Sequence, residues 1–338
     1  MEVKEKALFI RVDRIGDLVL TLPVDDIAVL RQRYAVTWWI SKGLEFVLKN
    51  GTQKRHFATI DKDFTWSQFL ALYYYLKREN FALVVIFHAP WWISLLIFLA
   101  RIPIRVGRHS QWHSYLFFNR GYRQSRSRSK LHESEYNFKL IEKFLGEQVR
   151  ERPLLELRNE SADKVISKLG LEKKLYFVVH PGMAGSARNV SANFYVDLLK
   201  QLSQQHPVVI TGTKSDHEYI APIFSTLKDH PNLLWQNEKL SNDELISVLQ
   251  NSKAVIAPST GVIHLAASTG TKSIGLYSPV TTQHATRWGP RGKFTYVFAP
   301  KVECPGTKDC LYQACDKFDC MEQIKVSDVM AIIQLKTI

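Results

Sequence analysis

The sequence predicts an α/β protein built from two successive Rossmann-like halves, each around a parallel sheet. Three observations carry that expectation. The chain has 338 residues, enough for two cores of ordinary size. Short apolar runs alternate with amphipathic helical stretches from Ala7 to Leu155 and again beyond it, as βαβ units require. Between the two series, Glu147–Ser161 is charged, contains Pro153 and lacks a hydrophobic period, which marks a boundary. The expected domains are 1–155 and 156–338, with the final helix able to pack back on the first.

In the first half the predicted strands are Leu8–Val12, Val36–Ile40, Ala58–Ile60, Leu83–Phe87 and Arg105–Gly107, and Glu133–Leu145 reads as a long helix. The longest apolar run, Leu83–Ala100, approaches membrane-spanning length, but His88 and Pro90 interrupt it. It reads as a buried strand, a turn at His88-Ala-Pro90 and a helix over Trp91–Arg101. In the second half the predicted strands are Tyr176–His180, Pro207–Thr211, Leu233–Gln236, Val255–Pro258, Ser273–Tyr277 and Thr295–Phe298.

Hydrophobic residues at 46% and charged residues at 23% are values of a folded globular chain and argue against disorder, collagen and coiled coil. Lys and Arg number 45 against 32 Asp and Glu, a net charge of +13. The excess is local, since Arg101–Lys130 contains no acidic residue. Such a field attracts polyanions: nucleic acid, an anionic membrane surface or a phosphorylated glycolipid. The Arg/Ser run Arg123–Lys130 reads as a mobile loop. Met1–Lys6 leads straight into a strand without a signal-peptide pattern, so a cytoplasmic chain is expected.

Four stretches carry chemistry. The first strand leads into Arg14-Ile-Gly-Asp17, where Gly16 allows a tight turn and Asp17 opens a helix at the strand's carboxyl end, the edge where open α/β sheets bind ligands. There Asp17 suits an N-cap or a general base. His180-Pro-Gly-Met-Ala-Gly185-Ser186-Ala-Arg188 offers close backbone approach and a cation to a diphosphate. After the strand ending at Thr211, Asp216 and Glu218 are placed to accept from ribose hydroxyls or to cap a helix. Finally, Ala254–Gly270 reads as strand, Pro-Ser259-Thr260-Gly261 turn and helix, with His264 on the face of Thr260. The unpaired amides and dipole of that helix start favour a phosphate, and an ordinary capped helix is the competing reading.

Neither Gly-x-Gly-x-x-Gly nor a P-loop occurs. Asp61-Lys-Asp63 matches a short metal-binding pattern by chance. Cys304, Cys310, Cys315 and Cys320 are separated by five, four and four residues, unlike paired Cys-x-x-Cys ribbons, and read as reduced thiols, with a structural metal site or redox bridges as alternatives.

In combination these stretches resemble the heptosyltransferases of lipopolysaccharide assembly, glycosyltransferase family 9. The matching text is Gly16-Asp17 with Leu22-Pro23, His132-Glu133, His180-Pro-Gly with Gly185-Ser-Ala-Arg188, Gly212 with Asp216-His-Glu218, Ser259-Thr-Gly261 with His264, Arg287-Trp-Gly-Pro290, and Cys320-Met before Ile324. The resemblance implies a GT-B fold, two facing Rossmann-like domains with a cleft between them, the first holding the acceptor and the second a nucleotide-sugar. It implies Asp17 as general base of a metal-independent inverting transfer. It further implies a donor site of Gly185, Ser186, Arg188, Asp216, Leu240 beside the adenine, Ser259, Thr260, Gly261 and His264. Arg188 stands where Lys is usual, and Ser259 where many relatives carry Asp, which leaves the sugar open. ADP-heptose is the expected co-substrate, with no cofactor. The expected acceptor is the anionic inner core of lipopolysaccharide, met by Arg120, Arg123, Arg126, Arg128 and His132, with the enzyme peripheral on the inner face of the inner membrane.

Two other classes compete. A basic nucleic-acid-binding protein would bind generic RNA or DNA in a salt-sensitive way without preferring a nucleotide-sugar. A catalytically silent sensor would bind donor, and Asp17→Ala would change nothing measurable.

Overall fold

A computed structural model describes residues 4–185 and 187–335. The chain divides into two compact units, one running up to Arg126 together with Glu133–Leu155, the other comprising Ser127–His132 and the chain from Glu156 on.

Each unit is organised on a six-stranded parallel sheet. The first contains β1 (Glu5–Arg11), β2 (Tyr34–Ser41), β3 (His56–Ile60), β4 (Leu83–His88), β5 (Ile104–Arg108) and β6 (Arg120–Tyr122), in the order β3-β2-β1-β4-β5-β6. The second contains β7 (Phe177–Val179), β8 (Val208–Ile210), β9 (Leu233–Trp235), β10 (Ala254–Pro258), β11 (Ser273–Leu276) and β12 (Thr295–Phe298), in the order β12-β11-β10-β7-β8-β9. The two orders are the same doubly wound arrangement read from opposite edges. In each, the chain leaves the middle of the sheet in both directions, so the crevice at the strands' carboxyl ends lies between β1 and β4 and between β7 and β10.

The central strands are apolar because helices cover both faces of a parallel sheet. Leu8, Ile10, Trp39, Val84, Ile93 and Leu96 belong to the first core. Phe177, Val179, Leu199, Ile210, Ile256 and Ile274 belong to the second. The apolar run Leu83–Ala100 resolves into β4 and the helix Trp91–Leu99, and among the described residues no helix is long and apolar enough to cross a membrane. β6 was not predicted: Arg-Gly-Tyr has no apolar signature, and register with Val106–Arg108 creates it.

One expectation is corrected. Arg123–Lys130 is not a free loop, because it includes a 3-10 turn at Arg126–Arg128 that buries Arg126 beside Glu133. The final helix, Val326–Gln334, buries Val329, Met330 and Ile333 in the second core. Lys272, itself buried, completes that helix's carboxyl end by donating to the carbonyls of Ile332, Ile333 and Leu335 at 3.1, 3.4 and 2.5 Å. Lys272→Met keeps the aliphatic stem and removes these bonds. It is expected to cost about 1–3 kcal/mol, read as a lower urea midpoint.

Candidate active site

β1 is an apolar strand that ends on a charge. Ala7–Ile10 are fully buried, and Arg11 after them is 2% exposed. A guanidinium so placed requires carboxylates. It pairs with Asp17 through Nη2 and Oδ1, with Asp13 at 3.3 Å and with Glu133 at 3.5 Å. Glu133, 1% exposed, pairs in turn with Arg126. Arg126 donates to Asn137 Oδ1 at 3.2 Å, Asn137 donates to Thr21 Oγ1 at 2.9 Å, and Thr21 donates to the Asp17 carbonyl at 2.6 Å. The bonds therefore make a closed circuit around the turn after β1. One helix, Glu133–Leu145, supplies both Glu133 and Asn137, because residues four apart share a helix face.

Two guanidiniums face three carboxylates in this circuit. Burial disfavours the Asp17 charge more than Arg11 favours it, and Asp13 and Glu133 repel it, so its pKa is pushed up to about 6. Burial also opposes the Arg11 charge, but the three carboxylates hold its pKa above the ordinary value. Arg11 engages only one Asp17 oxygen, and Oδ2 has no hydrogen bond among the described residues. Asp13 also faces His88, at the end of β4 across the crevice, at 3.9 Å.

In the second unit two turns meet the crevice between β7 and β10. The turn after β7 begins with His180, buried and pushed down to about pKa 4 by desolvation, its Nδ1 sharing a hydrogen bond with Thr211 Oγ1 at 3.0 Å. Gly182 follows because a Cβ there would lie 2.0 Å from Asp216 Cγ. Ala184 and Gly185 both adopt left-handed backbone, φ 49° and 69°. Ser186 lies outside the described residues.

Asp216, expected at the ribose, is 2% exposed and fully employed within the protein. Oδ1 accepts from the Ala184 amide at 2.9 Å, and Oδ2 accepts from the Thr213 amide and hydroxyl at 2.9 and 2.6 Å. Burial raises its pKa, yet these bonds outweigh it and hold the carboxyl below its usual range. Its observed task is to tie the His180–Gly185 turn to the turn after β8. Glu218 is exposed in the first turn of the next helix, His217–Leu227.

After β10, Ser259 is half-buried and hydrogen-bonded to Tyr277, whose hydroxyl also donates to the Trp288 carbonyl at 2.7 Å. Thr260 is the N-cap of the helix Gly261–Ser268, and its side chain makes no capping bond. His264 is 4% exposed, and its Nδ1 has no hydrogen-bond partner among the described residues. Burial, then the neighbouring His132, push its pKa down to about 3, so it is neutral at physiological pH. The His132 ring shares a 2.7 Å hydrogen bond with the Gly289 carbonyl, within the Arg287-Trp-Gly-Pro290 turn. Thr260, Gly261, His264, His132 and Gly289 thus belong to one neighbourhood of this unit.

Arg188 points into the cysteine segment. Nη2 donates to the Phe318 carbonyl at 2.7 Å, Nη1 contacts Cys310 Sγ at 3.7 Å, and the guanidinium lies 4.0 Å over the Phe318 ring. Its two terminal nitrogens are thus engaged within the protein, while Nε, buried, has no hydrogen-bond partner among the described residues. Cys304, Cys310, Cys315 and Cys320 are free thiols lining the same cavity. Among the described residues no three His, Cys, Asp or Glu side chains are grouped to hold a metal ion.

The acceptor-side expectations divide. Arg120, Arg123 and Arg128 are exposed, and Arg123 donates to the Tyr115 hydroxyl at 3.0 Å. Arg126 is buried in the charge circuit and is not open to a ligand as expected. Leu240 is half-buried just before Ser241, which forms a capping box with Glu244. Sequence reasoning missed Arg11, Thr21 and Asn137 and gave Glu133 no role. Their signals were a charge closing an apolar strand and a polar pair, four apart, on the apolar face of a helix.

The chain is similar to glycosyltransferase family 9 (heptosyltransferase) over residues 69–309, a span that begins after Asp17. It is 27% identical over 301 residues to a Haemophilus influenzae (strain KW20 / Rd) protein provisionally assigned as a glycosyltransferase, covering 85% of this chain and 86% of that one. Among solved structures it resembles a family 9 glycosyl transferase of Veillonella parvula, with 18% identity, TM-score 0.77 and 98% of each chain covered. It also resembles the E. coli ADP-heptose lipopolysaccharide heptosyltransferase II, with 16% identity, TM-score 0.78 and 97% and 98% covered. A third neighbour is the E. coli heptosyltransferase WaaC with ADP, with 17% identity, TM-score 0.69 and 97% and 99% covered. These neighbours show a GT-B-like fold, and because the family match spans well over half of the 338 residues, the chain belongs to glycosyltransferase family 9, the heptosyltransferase family.

Proposed function

We propose that this protein is an inverting glycosyltransferase that moves a heptose, or a related sugar, from an ADP-sugar to the inner core of lipopolysaccharide, with Asp17 as general base. One observation carries the catalytic part: a half-buried carboxylate at the β1/β4 crevice, held by Arg11 on one oxygen and uncommitted on the other. Oδ2 removes the proton of the acceptor hydroxyl as that oxygen bonds to the anomeric carbon. The bond to the nucleotide diphosphate breaks on the opposite face, and the sugar inverts in a single displacement. The proton then passes from Asp17 to solvent.

The second unit is assigned the donor. The Thr260/Gly261 helix start and the turn at Gly185 face developing phosphate charge with backbone amides, and one such donor is worth about 3 kcal/mol. Arg188 adds positive charge while anchoring the cysteine segment, Asp216 shapes the turn, and Leu240 packs beside the base. Support for an ADP-sugar comes from neighbours described as an ADP-heptose transferase and as a heptosyltransferase with ADP. Arg120, Arg123, Arg128 and His132 are assigned to the anionic acceptor, and Arg126 to positioning through Glu133. In this scheme no step uses a metal or nucleic acid, and the enzyme works peripherally at the cytoplasmic face of the inner membrane.

Asp17 must be ionised to act, so kcat should be flat above its pKa of about 6 and fall tenfold per pH unit below it. Asp17→Asn should lower kcat by roughly a hundredfold or more with ADP affinity unchanged. The folded pKa lies above the ordinary carboxyl value of 3.8, so stability contributed by this group is lost as pH rises from 3.8 to about 6. Thermal melts should therefore show Asp17→Asn gaining on wild type as pH rises across that window. A donor screen monitoring nucleotide release with ADP-, UDP- and GDP-sugars and core acceptors should give turnover with ADP-heptose or a close ADP-sugar. No turnover with any pair rejects the transferase reading.

A further inference from the structure

The first unit carries an apolar surface that its own core does not use. Trp66, Trp91 and Trp112 are 71%, 54% and 68% exposed. Each is the first residue of a helix, Trp66–Glu79, Trp91–Leu99 and Trp112–Phe117, that follows β3, β4 and β5 respectively. In a parallel sheet all three helix starts lie at the strands' carboxyl ends, the edge that also carries the turn of Asp17 after β1.

The helices are neighbours in order, and ring contacts join them. Phe64, just before the first helix, packs on Trp66 and on Trp92 of the second, with ring centroids 5.1 and 5.8 Å apart. Phe98 of the second packs on Phe117 of the third at 5.4 Å. Leu70, Tyr74, Leu99 and Leu116 extend the exposed apolar area. Contiguous apolar surface of this kind marks an interaction site.

Charge selects the occupant. From Phe64 to His132 the chain contains one acidic residue, Glu79, and it is already paired with Lys6 at 2.9 Å and Arg78 at 3.2 Å. Lys77, Arg101 and Arg120 are exposed in the same stretch. On its other side, the loop before the first helix carries exposed Asp61 and Asp63, with Lys62 between them and Lys42 3.8 Å from Asp61. Tryptophans with an apolar body and a polar N–H, in a stretch of chain whose charges are almost all cationic, suit the boundary between head groups and acyl chains.

We propose that this face, centred on Trp66, Trp91 and Trp112, docks the first unit on an anionic bilayer surface. Docking there sets the Asp17 edge of the first sheet toward the lipid head groups, where an amphiphilic acceptor presents its sugars. That orientation rests on the glycosyltransferase reading, whereas the docking itself does not.

The test is cosedimentation of the full chain with vesicles of phosphatidylcholine alone, or of equal parts phosphatidylcholine and phosphatidylglycerol. Wild type should bind the anionic vesicles, and binding should weaken with salt. The triple variant Trp66→Ser/Trp91→Ser/Trp112→Ser should bind at least about tenfold more weakly, with an unchanged circular dichroism spectrum and ADP affinity. The double variant Arg101→Gln/Arg120→Gln should lose the preference for anionic lipid. Absence of wild-type binding, or equal binding by the triple variant, overturns the proposal. So does a wild-type dimer in light scattering that the triple variant dissociates, which would make this face a self-association surface. If vesicles bind as expected while every donor and acceptor pair fails to react, docking stands and the transferase reading falls.

Discussion

The structure depends on how the charge of Arg11 is kept inside the first unit. A buried ion pair is weakly stabilising at best, because desolvation offsets most of the Coulomb gain, whereas removing one partner leaves an unpaired charge. Here the surrounding groups are completely specified: Asp13 and Asp17 follow on the same turn, Glu133 comes from a distant helix, and Arg126 balances Glu133. Asn137 and Thr21 close the circuit on the Asp17 backbone. Such an arrangement locates the carboxylate, and burial, together with the negative charge of Asp13 and Glu133, raises its pKa toward neutrality. Structure and proposed chemistry therefore share one cause.

The second unit repeats the doubly wound topology but spends its polar groups differently. Asp216 and His180 stabilise turns, and Arg188 holds the cysteine segment. Backbone remains on offer at the crevice: the start of the helix at Gly261, uncapped by Thr260, and the left-handed turn at Ala184–Gly185. Neutral His264, in the first turn of that helix, carries a nitrogen with no hydrogen-bond partner among the described residues. A unit arranged this way suits an anion recognised by amides more than one clamped by a cationic side chain.

Strand positions were legible wherever apolar residues alternate or cluster, because burial between helices writes itself into composition; β6 was illegible because pairing with β5 alone creates it. The motif residues Asp17, Thr260 and Gly261 were legible because local sequence, strand then small residue then helix, determines where they stand. The roles of Asp216, Arg126 and Arg188 were not. Asp216 and Arg188 are decided by partners far along the chain, Ala184 and Phe318, and Arg126 by Glu133 beyond an irregular turn, and no local pattern encodes those pairings. Arg11 and Glu133, 122 positions apart, show the same limit from the other side.

The most direct test of the charge circuit is to titrate Asp17 by carboxyl-carbon NMR, in the wild type and in Glu133→Gln. The wild-type resonance should titrate near 6. Glu133→Gln removes a repelling charge and frees Arg11 toward Asp17, so the midpoint should move down. A wild-type midpoint near the ordinary 3.8, or one that does not respond to Glu133→Gln, would contradict the account.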